Sequence, residues 1–283
     1  MAGWLLHGVL TGVDLCAIAL GFYLLMRVCR VMNFSYGGVI VLAPYVCSAL
    51  CDVVPPFIAV AGAVCSSAAL ALILEATVFR SLRRRNAHPV VSLVASLGLF
   101  VVIQALLQMV WGPARQSLGG PTPPGFTVGG LHLSFASLTA RAFCLLAILG
   151  LHLLLVSTRV GSRLRALSCD WDLAQSLGIR SGRLLLICSA IAASLGALGA
   201  MSVSLQFGYA PHTGQDLLFL VFPAVILGGR TFIGVACSSI GLQVLRVAGQ
   251  RFMPRHIVEL ILFFLVLVAL LLPVRCLRRM RTS

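Results

Sequence analysis

Apolar positions along this chain run in long unbroken stretches, with neither the alternation of a half-buried strand nor the single stripe of a surface helix. The stretches cover roughly 4–26, 36–51, 54–79, 89–111, 134–157, 184–207, 215–229, 232–249 and 256–274. A helix needs about 20 apolar residues to cross a bilayer, and most of these runs reach that length. The pattern predicts an all-α polytopic transmembrane helical bundle with about eight to nine spans, forming one membrane domain over residues 1–283. Three segments, 36–51, 215–229 and 232–249, are short or glycine-rich. A run such as 215–229 makes a helix about 22 Å long, less than the ~30 Å hydrocarbon core. Such pieces are expected as re-entrant or broken helices, which persist in a membrane only when packed inside protein. The opening run lacks the positive start of a secretory signal, since its first arginine is Arg27, and is read as a span.

Composition strengthens this picture. Apolar residues make up 60% of the chain and charged residues 10%, against about 25% charged in a soluble domain. The chain therefore has too little polar surface for a soluble fold and too much apolar content for a disordered one. All 21 basic residues are arginine. Without lysine there is no P-loop of the nucleotide-binding kind and no Schiff-base or pyridoxal phosphate chemistry. The formal charge of +14 fits cytoplasmic loops next to spans better than nucleic-acid binding, and no nucleic-acid partner is expected. With nine crossings and the N-terminus outside, the inner loops hold Arg27, Arg30, Arg80, Arg83, Arg84, Arg85, Arg159, Arg163, Arg165, Arg180, Arg183, Arg230, Arg275, Arg278, Arg279 and Arg281. The outer side keeps Arg115, Arg141, Arg246, Arg251 and Arg255, and the bias places the C-terminus in the cytoplasm. Ten cysteines lie mostly inside apolar runs, and the histidines are scattered, so neither a metal site nor a cofactor is expected.

Several polar positions stand out. Asp14 lies near the middle of the first span, where a carboxylate costs roughly 2.5–3.5 kcal/mol on insertion scales. It is expected to face the protein interior or water, with Thr11 one turn earlier as a hydrogen-bond partner. Glu75 ends the third span. Arg80 at i+5 is poorly placed for it, which leaves Arg84 or an arginine of another loop. The sixth span is dense in small residues from Ala190 to Ala200, a pattern that lets helix backbones approach closely and predicts a packing helix at the centre of the bundle or at an interface. The longest outer connection, Gly112 to Leu133, is rich in turn residues. Within the largest inner loop, 159–183, Leu164, Leu167, Trp171, Ala174 and Leu177 keep helical spacing up to Gly178. They predict one short amphipathic helix, lying on the membrane or in a partner's groove.

At this loop the sequence resembles a known family. Arg165-Ala166-Leu167-Ser168-Cys169-Asp170, followed by Ala174-Gln175-Ser176-Leu177-Gly178-Ile179, is similar to the cytoplasmic loop of ABC-transporter permeases for branched-chain amino acids. Four further stretches agree in order: Asn33-Phe34 with Gly37 and Tyr45; Glu75 with Phe79-Arg80 and Leu82-Arg83; Ser96-Leu97-Gly98-Leu99 with Gln104 and Trp111-Gly112; and Leu227-Gly228-Gly229. The match covers about residues 8–275. The chain departs from the family pattern at Tyr36, Ser81, Leu220 and Arg230-Thr231-Phe232, where the family has a histidine, a proline, a lysine and a G-[SN] element.

The resemblance implies a membrane-spanning permease subunit of an ABC importer for branched-chain or other amino acids, of the shorter permease type, with no catalysis of its own. Residues Arg165, Ala166, Asp170, Ala174, Leu177 and Gly178 are then expected to couple to an ATPase. Asn33, Phe34 and Gly37 sit in a helix-breaking turn and, with Asp14, are expected on the substrate path. The segment Gly208 to Asp216 is read as an outer connecting loop, with contact to a binding protein as the alternative. Implied partners are the lipid bilayer, a second, different permease subunit, two ATP-binding subunits and an extracytoplasmic substrate-binding protein. The implied location is a bacterial-type inner membrane. The competing reading is an autonomous secondary transporter or channel for a small polar solute, which would need more intramembrane carboxylates than Asp14 alone.

Overall fold

A computed structural model of the chain describes residues 2–29, 32–85, 87–118, 125–128, 131–178, 181–229, 231–250, 254, 257–262 and 264. The helices are α1 (Ala2–Cys29), α2 (Ser35–Cys51), α3 (Pro56–Leu74), α4 (Arg80–Arg84), α5 (Pro89–Trp111), α6 (Phe135–Ser157), α7 (Arg159–Cys169), α8 (Trp171–Ser176), α9 (Ser181–Phe207), α10 (Thr213–Gly228) and α11 (Phe232–Gly249). A π-helical turn, Glu75–Phe79, joins α3 to α4. The first eight apolar runs of the sequence each became a helix within a few residues of the expected ends. The ninth, 256–274, lies mostly outside the described residues. The connection after α5 holds one hairpin, β1 (Gly125–Val128) against β2 (Leu131–Ser134), with Gly125 opposite Ser134. Turn residues alone do not announce such a pairing.

Among the described residues, six helical stretches are long and apolar enough to cross a membrane: His7–Cys29, Pro56–Arg84, Pro89–Trp111, Phe135–Ser157, Ser181–Phe207 and Phe232–Gly249. Their burial differs sharply. The most apolar window is 83% buried in α1 and 67% buried in α9, but 17–28% in the other four. A helix that is apolar all round belongs in the core, and α1 and α9 form it. The small residues of α9 explain its place: Ala192, Ala193, Gly196, Ala197, Gly199 and Ala200 are all buried. The outward faces of α3, α5 and α6 carry Phe57, Val101, Met109, Leu146 and Leu153 exposed, as a lipid-facing shell requires.

The packing repeats itself with inverted direction. The two core helices run antiparallel: Ser202 bonds Asp14, and Cys188 lies at Leu24. α1 packs on α11 as α9 packs on α3; α2 packs on α3 as α10 packs on α11; α2 packs on α9 as α10 packs on α1. Each half thus reads long helix, short helix, long helix. Both short helices carry an internal proline, Pro44 in α2 and Pro223 in α10. They cross antiparallel: Gly37 lies against Gly214 and Leu218, and the rings of Phe34, just before α2, and Phe222, midway along α10, stack at 6.0 Å. The crossing depends on two glycines. A Cβ added to Gly214 would lie 2.5 Å from the Gly37 carbonyl oxygen, and one added to Gly37 would lie 2.5 Å from Leu218 Cδ1. The sequence expectation of short helices packed inside protein is met in α2 and α10. The third short segment, α11, is a membrane-length helix.

Candidate functional site: two polar cavities flanking a half-helix crossing

The polar residues of the core collect on either side of the α2–α10 crossing. One cluster lies toward Cys29, the cytoplasmic end of α1 in the topology expected from sequence, and is called inner here; the other, toward the N-terminal half of α1, is called outer.

The inner cluster is built on the turn before α2. Asn33 Oδ1 accepts hydrogen bonds from the Ser35 N–H at 3.1 Å and from the Ser35 hydroxyl at 2.6 Å. The Phe34 N–H donates to Ser96 Oγ of α5 at 3.1 Å. Asparagine holds such turns because its side chain replaces a missing backbone partner. The Tyr36 hydroxyl enters the core and donates to the carbonyls of Ile18 in α1, at 3.0 Å, and Ala192 in α9, at 3.3 Å. Gly21 and Gly196 give it room, since a Cβ at either would collide with the hydroxyl. Tyr36, a departure from the family histidine, therefore pins the start of α2 to both core helices. Below it lies a cavity of about 20 Å³, lined by Asn33, Ser35, Tyr36, Glu75 and Ser189 among apolar neighbours. Glu75 is buried and pairs with Arg83. The expected partners, Arg84 or an arginine of another loop, are not the ones used. Arg83 reaches back along the same helix, past the π turn.

The outer cluster centres on Asp14, fully buried in α1. Its Oδ1 accepts from Ser202 Oγ at 2.7 Å. Its Oδ2 accepts from Gln206 Nε2 at 3.1 Å and from Arg141 Nε of α6 at 3.4 Å. The expectation that Asp14 faces the protein interior holds, but the expected Thr11 bond does not form. Thr11 donates instead to the His7 carbonyl at 2.8 Å, one turn back in its own helix, as hydroxyls in apolar helices commonly do. Sequence reading missed Arg141 as a partner and placed it among the outer loops. The signal was present, because a charge several residues inside an apolar run belongs to the span. Arg246 is a second case: it is buried in the last turn of α11 and pairs with Glu259. Beside Asp14 lies a cavity of about 30 Å³ between α1, α9, α10 and α11. Thr11, Arg115, Thr213, Asp216, Gln243 and Arg246 line it with Asp14. The Gly208–Asp216 segment is largely folded inward. Tyr209, Ala210 and Pro211 are buried, and Tyr209 bonds Gln116 through both backbone and side chain. The connecting-loop reading thus holds for Gly208 to His212, while Thr213 to Asp216 form the first turn of α10.

The loop between α6 and α9 departs from the single helix expected. It forms α7 and α8, broken at Asp170, whose backbone is extended. The Asp170 carboxylate accepts from the Leu173 N–H at 3.1 Å and caps α8. The break redistributes the apolar stripe. Leu164, Leu167 and Ala174 are buried, with α7 packed under α1, α6 and α9, while Leu177 is 73% exposed. The stripe that could have lain on a membrane is thus covered by the chain's own bundle. Arg165, Ala166, Asp170, Leu177 and Gly178 remain exposed, and Gly178 stops the segment with φ +80°. Arg165 Nη2 donates to Ser162 Oγ at 3.3 Å.

Comparison with known proteins matches this architecture. The family model described as branched-chain amino acid transport system, permease component, matches residues 5–271. The high-affinity branched-chain amino acid transport permease protein BraD of Pseudomonas aeruginosa is 24% identical over 94% of this chain and 92% of its own length. The corresponding LivH protein of Escherichia coli K12 is 23% identical over 96% of this chain and 94% of its own. A probable LivH permease of Methanocaldococcus jannaschii is 24% identical over 78% of this chain and 72% of its own. No solved structure matches the chain. With a family model covering nearly all of its length and its polar groups gathered around an inverted half-helix crossing, this chain belongs to the permease components of branched-chain amino acid transport systems.

Proposed function

We propose that the chain forms part of the substrate path of an ATP-driven importer for branched-chain amino acids in a bacterial-type inner membrane, with its N-terminus outside and its C-terminus cytoplasmic. One observation carries the path: the four residues expected on it fall around a single crossing. Phe34 and Gly37 are in the crossing, Asn33 is in the cavity on one side and Asp14 in the cavity on the other. Transporters built from inverted repeats place substrates at such broken helices. The complete assembly in this reading has a second, different permease subunit, two ATP-binding subunits and an extracytoplasmic binding protein.

Coupling runs through α7 and α8. α7 packs under both core helices, α8 packs on α7, and Arg165 and Asp170 are exposed. Movement of a docked ATPase would therefore reach α1 and α9 directly. The test is purification of the tagged protein in mild detergent, beside an Arg165→Glu, Asp170→Arg double variant, with mass spectrometry of the co-purified chains. An ATPase recovered with the parent and lost with the variant is the expected result. No ATPase with either, from intact protein, overturns the coupling reading and favours the autonomous transporter.

A further inference from the structure

The outer cavity holds an acid and a base that no ion pair joins. Most of its polar lining is already engaged. Asp14 is held by Arg141, Ser202 and Gln206. Arg246 pairs with Glu259. Thr11 donates to His7, and Thr213 accepts from the Ala210 N–H at 2.9 Å. Among the described residues, the ion pairs involve neither Asp216, in the first turn of α10, nor Arg115, in the segment after α5. Gln243 of α11 lines the same cavity, is 5% exposed, and its Oε1 has no hydrogen-bond partner. A buried amide oxygen without a partner is unfavourable, and here it belongs to a residue that lines the cavity. The remaining walls are apolar: Leu15, Val203, Phe207, Leu217 and Leu220.

A carboxylate, a guanidinium and an orphan acceptor around one cavity with aliphatic walls complement one kind of ligand. It carries an ammonium and a carboxylate close together, and an apolar side chain. We propose that the outer cavity is the recognition site for an α-amino acid zwitterion. Asp216 and the Gln243 amide oxygen take its ammonium, Arg115 takes its carboxylate, and the aliphatic walls take its side chain. At about 30 Å³ the cavity has room for a water or two, so this is the closed form of the site. Leucine is larger, so its binding needs the cavity to widen. Arg115 is exposed and sits on a loop, free to follow the ligand in. The inference rests on the substrate-path reading and adds the residues that recognise the substrate's charges.

The experiment uses the complete transporter in proteoliposomes, with its partner subunits and binding protein, and leucine as the probe. Asp216→Asn and Arg115→Gln are each expected to raise the KM for leucine tenfold or more, while uptake at saturating leucine stays near the parent rate. Gln243→Leu is expected to raise it severalfold. The thermal stability of Asp216→Asn and of Arg115→Gln is expected to stay near that of the parent, which a purely structural role for either residue would not allow. Parent-like KM values in Asp216→Asn and Arg115→Gln, in transporters that assemble and take up leucine, overturn this site and leave the substrate-path reading standing. A Gln243→Leu protein with higher thermal stability and unchanged KM assigns the cavity to bound water only, and also overturns it. Should the parent transporter take up no leucine, the substrate reading fails and this site with it.

Discussion

The two cavities occupy equivalent places in the inverted repeat yet are finished differently. Each lies beside the N-terminal turn of a short helix, between the core pair and the helix that follows: α2 and α3 for the inner cavity, α10 and α11 for the outer. Around the inner one the polar groups bond each other. Asn33 holds Ser35, Tyr36 holds two core carbonyls, and Glu75 holds Arg83 of its own helix. The outer one keeps orphans: Oε1 of Gln243, a residue that lines it, and Arg141 Nη1 and Gln206 Oε1 in the adjoining network. Its ion pairs also join separate elements, α1 to α6 through Asp14 and Arg141, and α11 to residues 257–262 through Arg246 and Glu259. The same architecture is therefore self-satisfied at the inner cavity and incomplete at the outer one. Unpaired buried polar groups are unfavourable unless something arrives to pair them. In the function proposed above, the outer cavity is the one a substrate would complete.

The largest effect is expected where the halves touch. Gly214→Ala sets a Cβ against the Gly37 backbone, while Gly37→Ala meets the flexible end of Leu218. Overpacking of this kind typically costs 1–3 kcal/mol, occasionally more. Gly214→Ala should therefore sharply lower the yield of assembled protein on size-exclusion chromatography, and Gly37→Ala should be the milder of the two. Equal behaviour would mean that the crossing does not control packing.

Next comes the outer ion pair. Breaking a buried pair leaves an uncompensated charge and costs about 3–5 kcal/mol. The two ways of breaking it are not equivalent. Asp14→Asn strands the Arg141 guanidinium as a buried, unpaired charge. Arg141→Met leaves Asp14 with Ser202 and Gln206, and a carboxylate can protonate. Thermal melts in detergent should place Asp14→Asn lowest, Arg141→Met above it, and the double variant above both. A double variant no better than Asp14→Asn would show that the pair is not energetically coupled.

How much of this could be read from sequence follows from the range of each interaction. Spans were legible because length and apolarity are local, and the central place of α9 was legible from its run of small residues. Asp14 was legible as buried, because its cost in lipid depends on its own position alone. Arg141 as its partner was not, since 127 positions separate them and nothing local joins them. The break at Asp170 was hidden because the apolar spacing continues on both sides of it. Asp170 is a cap, and capping depends on a backbone turn that periodicity does not record. The cavity residues Asp216 and Gln243 carried no signal beyond being polar near helix ends. Their significance comes from α10 turning inward beside α1, which is a property of the repeat as a whole.

Two smaller effects sharpen the contrast between the cavities. Arg83 is 30% exposed on its side chain, so Glu75→Gln leaves a guanidinium that water can still reach. The cost should be about 1 kcal/mol, as for pairs open to solvent, and well below that of Asp14→Asn in the same melts. A loss as large as the Asp14→Asn loss would make the inner pair as critical as the outer one and remove the asymmetry. Smallest of all should be Thr11→Val. Its hydroxyl donates to carbonyls of its own helix, and those carbonyls already take part in the helix ladder. Valine keeps the shape and loses one hydrogen bond that is not part of the Asp14 network. Stability should change by less than about 1 kcal/mol, with the KM for leucine unchanged even though Thr11 lines the outer cavity. A rise in KM as large as that of Asp216→Asn would mean that the hydroxyl turns away from its helix toward the ligand, and would add a fourth polar residue to the site.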